Sequence, residues 1–347
     1  MSPDDRTEQL LSHACEIGFD PVGVCRAESA ATYPAFVSWL DETMRNDACE
    51  GMRYLVRHCE ARQHPAAVLP EVKSLVVVGL SYAAVNPKSA QPAVPPPHGF
   101  GLVAEYARGI DYHDALRVKL RQLAATHRRL FPNAKTRIAV DTAPLLEREY
   151  AVRAGLGLPG KNTMLMNDKL GSRFFLGVIL STAELRETVD ETAFSTPAMF
   201  NSPECHSLCD TCQLCVEACP TGALATPYRL DARVCINYWS IEYQGNNIPY
   251  EIASKFGNRL YGCDTCQCVC PYNGRSAMSS PANLPLDRLT SRSLREQLET
   301  GMMSLSLIES LDESEFQNQF TGTSLMRLGL VRLKRNAAIV REQEERY

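Results

Sequence analysis

Two short runs of cysteine carry the most specific chemistry in this chain. The first reads Cys209-x-x-Cys212-x-x-Cys215-x-x-x-Cys219-Pro220 and the second Cys263-x-x-Cys266-x-x-x-Cys270-Pro271. Nine of the fourteen cysteines fall between Cys209 and Cys270. Thiolates at these intervals wrap a chain around iron–sulfur cubanes, the fourth cysteine of a run reaching across to the other cluster. Two 4Fe–4S clusters need about eight thiolates. The first run supplies four and the second three, because Leu260 stands where a further ligand would fall. Cys235, between the runs, completes the set. This places Cys209, Cys212, Cys215 and Cys270 on one cluster, and Cys219, Cys235, Cys263 and Cys266 on the other. Pro220 and Pro271 turn the chain away and offer no backbone donor. Zinc sites and secreted disulfide frameworks also use Cys-x-x-Cys pairs. Four closely spaced cysteines closed by proline match electron transfer better than either. Cys205 and Cys268 are left over near the runs, and Cys15, Cys25, Cys49 and Cys59 read as small buried or idle thiols.

Upstream, three segments hold further candidate chemistry. Asp141 closes an apolar strand directly before Thr142-Ala143-Pro144. An acid between an apolar strand and a helix is expected to have a raised pKa, suiting a proton donor. The alternative is a carboxylate satisfying backbone donors at a helix start. Gly155-x-Gly157-x-x-Gly160 matches a dinucleotide pattern by letters, but follows a helix rather than a strand and so fails that motif's context. It reads better as a close backbone approach to a bulky ligand, with Lys161 and Asn162 as donors. Tyr106-Ala107-Arg108-Gly109-x-Asp111-Tyr112-His113 crowds polar and ionisable side chains together. Within it Asp111 fits a cap for the next helix, and Arg108 and His113 fit surface positions.

The elements that must position these residues follow from periodicity. Helices are expected over 5–17, Tyr33 to Met44, and His113 to Leu130, the last with Leu116, Leu120, Leu123 and Leu130 on one face. Strands are expected at Pro21–Cys25, Ser74–Leu80, Thr136–Asp141 and Arg173–Leu180. Pro144 is expected to open a helix from Leu145 to Leu156. Asn86 to Gly99, with five prolines, reads as a long loop. Strand–helix alternation predicts an α/β (α+β) domain over 1–185. A bacterial-ferredoxin-like double 4Fe–4S module follows over 186–285, then a polar helical segment over 286–347.

Composition bounds the rest. The 347 residues are 45% hydrophobic, enough for a sizeable core. No run approaches the roughly 18 apolar residues of a membrane span. A net charge of −4 argues against a chain that binds nucleic acid by overall charge, while leaving room for a local basic patch. The acidic start without an apolar h-region, and the many thiols, predict a reducing cytoplasm.

Together these motifs resemble the epoxyqueuosine reductase family, cobalamin-dependent enzymes of the last step of queuosine synthesis in tRNA. The likeness runs through Gly51-Met52-x-Tyr54-Leu55, Arg62-x-x-Pro65 and Tyr106 to His113. It continues through Val140-Asp141-Thr142-Ala143-Pro144-Leu145-Leu146-Glu147-Arg148, the stretch Ala154 to Thr163, and the residues around Cys235 and Cys263. The resemblance implies a base-off cobalamin lying between the N-terminal domain and the clusters, with Asp141 as proton donor. It implies corrinoid contacts at Arg62, Tyr106, Gly157, Lys161, Asn162, Ser240, Asp264 and Gln267. The implied substrate is epoxyqueuosine at the wobble position of a tRNA anticodon loop. The implied electron donor is a reduced flavodoxin- or ferredoxin-type protein, and the chain is expected to act as a monomer, away from membranes.

Two departures stand out. Leu158-Pro159 occupies the glycine turn where family members usually carry tryptophan. Many members extend into a C-terminal helical repeat that grips tRNA, whereas here Arg327, Arg332, Lys334, Arg335 and Arg341 make a basic tail. That tail reads equally as RNA contact or as a solvated helix face. Two other functions share the cofactor pattern: a dehalogenase-like corrinoid reductase of a small molecule, and an electron carrier or corrinoid-activating protein. A carrier needs no proton donor, which sets Asp141 against the last.

Overall fold

The computed structural model describes residues 2–45, 48–82, 96–189, 209–275 and 291–345. Most of the proline-rich stretch, and Cys205, lie outside them. The strands are β1 (Val22–Arg26), β2 (Ser74–Ser81), β3 (Phe100–Val103), β4 (Thr136–Ala139), β5 (Leu158–Pro159), β6 (Leu165–Met166), β7 (Phe174–Ser181), β8 (Arg259–Tyr261) and β9 (Met302–Ser304). The chain groups into two compact units. One takes Met1–Glu42, Tyr54–Ser81 and His113–Cys212; the other takes Thr43–Arg53, Tyr82–Tyr112 and Gln213–Tyr347. Neither is a single stretch of chain. No helix among the described residues is long and apolar enough to cross a membrane.

The first unit is built on a sheet of order β1-β2-β7-β4, antiparallel at every pairing. β2 is buried along all eight residues, which its unbroken apolar run requires of a central strand. The helix Tyr112–Leu130 buries Leu116, Leu120, Leu123 and Leu130, as its spacing predicts. It lies close on β7, where any side chain at Gly177 would collide with Leu120.

Two boundaries in this unit differ from expectation, and both matter for the site. β4 stops at Ala139, two residues short of Asp141, whose φ of 52° is left-handed. The following helix is shorter than the apolar pattern suggests, running from Glu147 to Arg153. Ala143 and Leu145 close a tight bend before it through the Leu145 amide. At its other end Gly155 turns left-handed (φ 80°), its amide bonding Val152 and that of Leu156 bonding Ala151. This is a Schellman stop, so Gly155 serves helix termination.

In the second unit β3 lies between β8, parallel, and β9, antiparallel. The C-terminal segment is less polar in its role than in its composition. Its helices bury Leu294, Leu298, Phe316, Phe320, Leu333, Ala337 and Val340, and β9 interrupts them. Fully buried Asn336, on the helix Leu330–Glu344, donates to the carbonyls of Ser240 (2.8 Å) and Leu260 (2.9 Å). One amide thereby ties the last helix to β8 and to the π-helical turn Tyr238–Glu242.

Candidate functional site

In the first unit Asp141 stands in the bend between β4 and the helix Glu147–Arg153. Its left-handed backbone turns the side chain outward, so 62% of it is exposed. This corrects the expectation of an acid enclosed by apolar neighbours. His113, expected at the surface, is buried at the start of its helix, with Nε2 3.4 Å from Asp141 Oδ2. Glu147, half-buried, accepts the Asp141 amide at 2.9 Å. The pKa of the Glu147 carboxyl is raised. Burial, then the Asp141 carboxylate, push it up to about 8, against the pull of the Asp141 amide, Arg148 and His113. Glu147 stood within the family motif, but its spacing alone carries no sign of this role.

The glycine turn follows a helix and leads into the β5–β6 hairpin. A side chain at Gly157 would strike the carbonyl of Met166, and one at Gly160 the Met166 side chain, so the hairpin itself requires both glycines. Lys161 is buried, its ammonium donating to the carbonyls of Asp210 (2.5 Å) and Cys212 (2.9 Å). Asn162 Oδ1 accepts the Met164 amide at 3.1 Å. Arg62 is buried, donates to the His58 carbonyl at 2.9 Å and lies over the Phe36 ring. Burial lowers its pKa from the usual arginine range.

Cys209 and Cys212 close the first unit in a turn, the Cys212 amide bonding the Cys209 carbonyl at 2.7 Å. The remaining candidate ligands belong to the second unit. Burial pushes the Cys235 thiol up to about 11, the Asn237 and Tyr238 amides pull it down, and Cys263 and Cys219 raise it further. Cys266 is raised well above the usual thiol range by burial, then by Cys263, Cys235, Asp264 and Cys215. Cys235 thus lies within electrostatic reach of Cys219, Cys263 and Cys266, and Cys266 within reach of Cys263 and Cys215. Among the described residues, no three His, Cys, Asp or Glu side chains converge as on a single metal ion. A cubane asks for something different, four thiolates spread around four irons. Threonine hydroxyls approach two of the sulfurs, Thr221 at 3.7 Å from Cys219 and Thr265 at 3.3 Å from Cys263. Such hydrogen bonds to sulfur tune cluster potentials.

The other expected contact residues in the second unit each have partners there. Asp264 accepts the Glu105 amide at 2.6 Å, and Gln267 accepts from Tyr82 at 3.1 Å. Tyr106 is half-buried, with Tyr112 edge-on to its ring at 6.4 Å. Its pKa is raised well above the usual tyrosine value by burial, then by Tyr261 and Tyr112. Ser240 Oγ accepts the Gly262 amide at 3.1 Å, steadying the residue before Cys263. Arg108, expected at the surface, is half-buried and donates to the Val103 carbonyl at 2.9 Å. Asp111 pairs with Arg327 at 2.7 Å.

That pair begins to account for the basic tail. Arg332 donates to the carbonyls of Ile241 and Arg327. Arg335 donates to those of Trp239, Tyr243 and Gly245. Arg341 pairs with Glu309 and Glu344. These four arginines bind the fold together.

A mixed α/β fold carrying a double-cluster module defines an iron–sulfur oxidoreductase. The family model described as "4Fe-4S double cluster binding domain" matches residues 208–273, and "Epoxyqueuosine reductase QueG, DUF1730" matches residues 62–142. The epoxyqueuosine reductase of Salmonella typhimurium is 34% identical over 333 residues, covering 96% of this chain and 78% of that protein. The chain belongs to the epoxyqueuosine reductase family. Among solved structures, an epoxyqueuosine reductase with an epoxyqueuosine-modified tRNA-Tyr stem loop aligns with a TM-score of 0.77 at 28% identity, covering 98% of this chain and 81% of that one. That of Bacillus subtilis, with its aspartate-bearing catalytic loop swung out of the active site, aligns with a TM-score of 0.76 at 27% identity, covering 98% and 82%.

Proposed function

We propose that this protein reduces epoxyqueuosine to queuosine at the wobble position of tRNA, with Asp141 as the proton donor. The observation that carries this reading is the exposed carboxyl group of Asp141, which donates when protonated, 3.4 Å from buried His113 and inside the segment matched by the epoxyqueuosine reductase model. Removing the epoxide oxygen as water consumes two electrons and two protons. Asp141 delivers a proton to the leaving oxygen, and His113 orients its carboxyl from behind. The aspartate loop of the Bacillus subtilis enzyme swings out of its active site. Asp141 likewise sits in a bend without regular structure.

The cysteine pattern supports two clusters, held by Cys209, Cys212, Cys215 and Cys270 and by Cys219, Cys235, Cys263 and Cys266, which supply single electrons. The family likeness supports cobalamin. The side chains of Arg62, Tyr106, Lys161, Asn162, Ser240 and Gln267 and the Gly157 amide offer donors, and the Asp264 carboxylate an acceptor, that suit its amide-rich periphery in kind, although several already serve the fold. When bound, it would supply low-valent cobalt as the reductant for removal of the epoxide oxygen. A reduced flavodoxin or ferredoxin is the proposed donor, the protein acting as a monomer in the cytoplasm, where its tRNA resides.

The test is nucleoside analysis of tRNA from a strain lacking the gene. Accumulated epoxyqueuosine is expected, and unaltered queuosine would overturn the reading. Anaerobically purified protein is expected to hold about eight irons. With added cob(II)alamin it is expected to give an EPR signal without nitrogen superhyperfine coupling.

A further inference from the structure

Asp141 holds a left-handed backbone conformation (φ 52°) that side-chain-bearing residues adopt less readily than glycine. Something must keep it there if its carboxyl is to meet a substrate. We propose that Glu147 is the positioning residue that seats the Asp141 bend, its carboxyl receiving the Asp141 amide while His113 holds the carboxylate from the other side. The inference rests on the reading of Asp141 as proton donor.

The geometry is specific. Glu147 is the first residue of its helix, and its side chain reaches back six residues to the Asp141 amide at 2.9 Å. The same helical turn uses this device twice. Glu149 is buried and receives the amides of Ala31 (2.7 Å) and Thr32 (2.9 Å). One carboxylate fixes the 31–32 turn and the other the catalytic bend. A glutamate reaching back over preceding amides is the logic of a capping box, extended here to a longer span.

Glu147 is surrounded by Asp141, His113, Arg148 and Arg62, and holds its proton up to about pH 8. Near neutrality it therefore receives the amide as a neutral carboxyl. Glutamine copies this neutral form closely.

The test compares Glu147→Ala, Glu147→Asp and Glu147→Gln with Asp141→Asn in the cofactor-loaded enzyme. It reads amide exchange in the peptide spanning Val140–Leu146 alongside turnover. With Glu147→Ala or Glu147→Asp, exchange in that peptide is expected to rise about tenfold, the loss of one hydrogen bond, and kcat to fall with KM little changed. Glu147→Gln is expected to restore most of both. Unchanged exchange in the alanine and aspartate variants would overturn the proposal, as would a glutamine variant as loose as alanine. Asp141→Asn keeps the amide and is expected to keep its protection while losing turnover. If Asp141→Asn still turns over, the proton-donor reading falls, while the exchange data still decide the role of Glu147.

Discussion

The ammonium of Lys161 lies 2.9 Å from the main-chain carbonyl of Cys212 and 2.5 Å from that of Asp210. A buried cation needs such partners, because an unpaired one would carry its full desolvation cost. The contact makes Lys161 a brace for the first cysteine run. Lys161→Met is expected to lower stability by about 1–3 kcal/mol, the cost of leaving buried carbonyls unpaired. The variant is also expected to retain fewer than the roughly eight irons of two cubanes. Iron per chain after anaerobic purification checks this, and full occupancy would show that the brace is idle.

Asp141→Asn is expected to cut turnover by at least ~10²-fold, the usual worth of a positioned general acid. Iron content and corrinoid binding should stay at wild-type levels, since the exposed side chain packs against little. Single-turnover assays on the loaded enzyme check this, and wild-type turnover would remove Asp141 from the reaction.

His127 makes the fold sensitive to acid. It is fully buried against Ser181 Oγ at 2.8 Å, and burial, then Arg128, lower its pKa to about 4. The unfolded chain takes up this proton near the ordinary value of 6.5, and the folded one only near 4. The stability from keeping His127 neutral is therefore present above about 6.5 and lost as pH falls towards 4, at up to ~1.4 kcal/mol per pH unit. Glu147, with its pKa raised to about 8, contributes the opposite slope in both proteins, so the His127 term is read as a difference. Between pH 7.5 and 5 the unfolding midpoint of the wild type should fall relative to that of His127→Gln; a constant difference would remove His127 from the acid sensitivity.

Asn336 holds three segments of the second unit through one amide. Asn336→Leu preserves size and abandons the carbonyls of Ser240 and Leu260, so a loss of roughly 2 kcal/mol or more is expected. Because Ser240 steadies Gly262, next to Cys263, the variant should also lose iron faster to a chelator. Thermal unfolding and timed iron release check the two effects.

Arg335 separates the two readings of the basic tail. Burial, then Arg332, lower its pKa to about 10, and three carbonyls occupy its guanidinium. Arg335→Ala is expected to lower the unfolding midpoint while leaving the salt dependence of stem-loop binding unchanged. Removing a phosphate contact would instead reduce that slope by nearly one.

By itself, the sequence determined what depends on neighbours along the chain. Ligand spacing is local, so the runs from Cys209 and Cys263, and the count that calls for Cys235, identify the electron-transfer module. Periodicity is local too, so β2 and the helix Tyr112–Leu130 are legible from their apolar patterns. The tertiary structure decided what depends on residues that meet only after folding. Asp141 faces outward because a left-handed bend ends its strand early, and desolvation raises the pKa of Glu147, six residues further on. Lys161 finds its partner 51 residues away at Cys212, and Arg335 meets Trp239 across 96. Charge and hydrogen-bond partners act through space, so four arginines of a basic tail that look free in one dimension have partners in three.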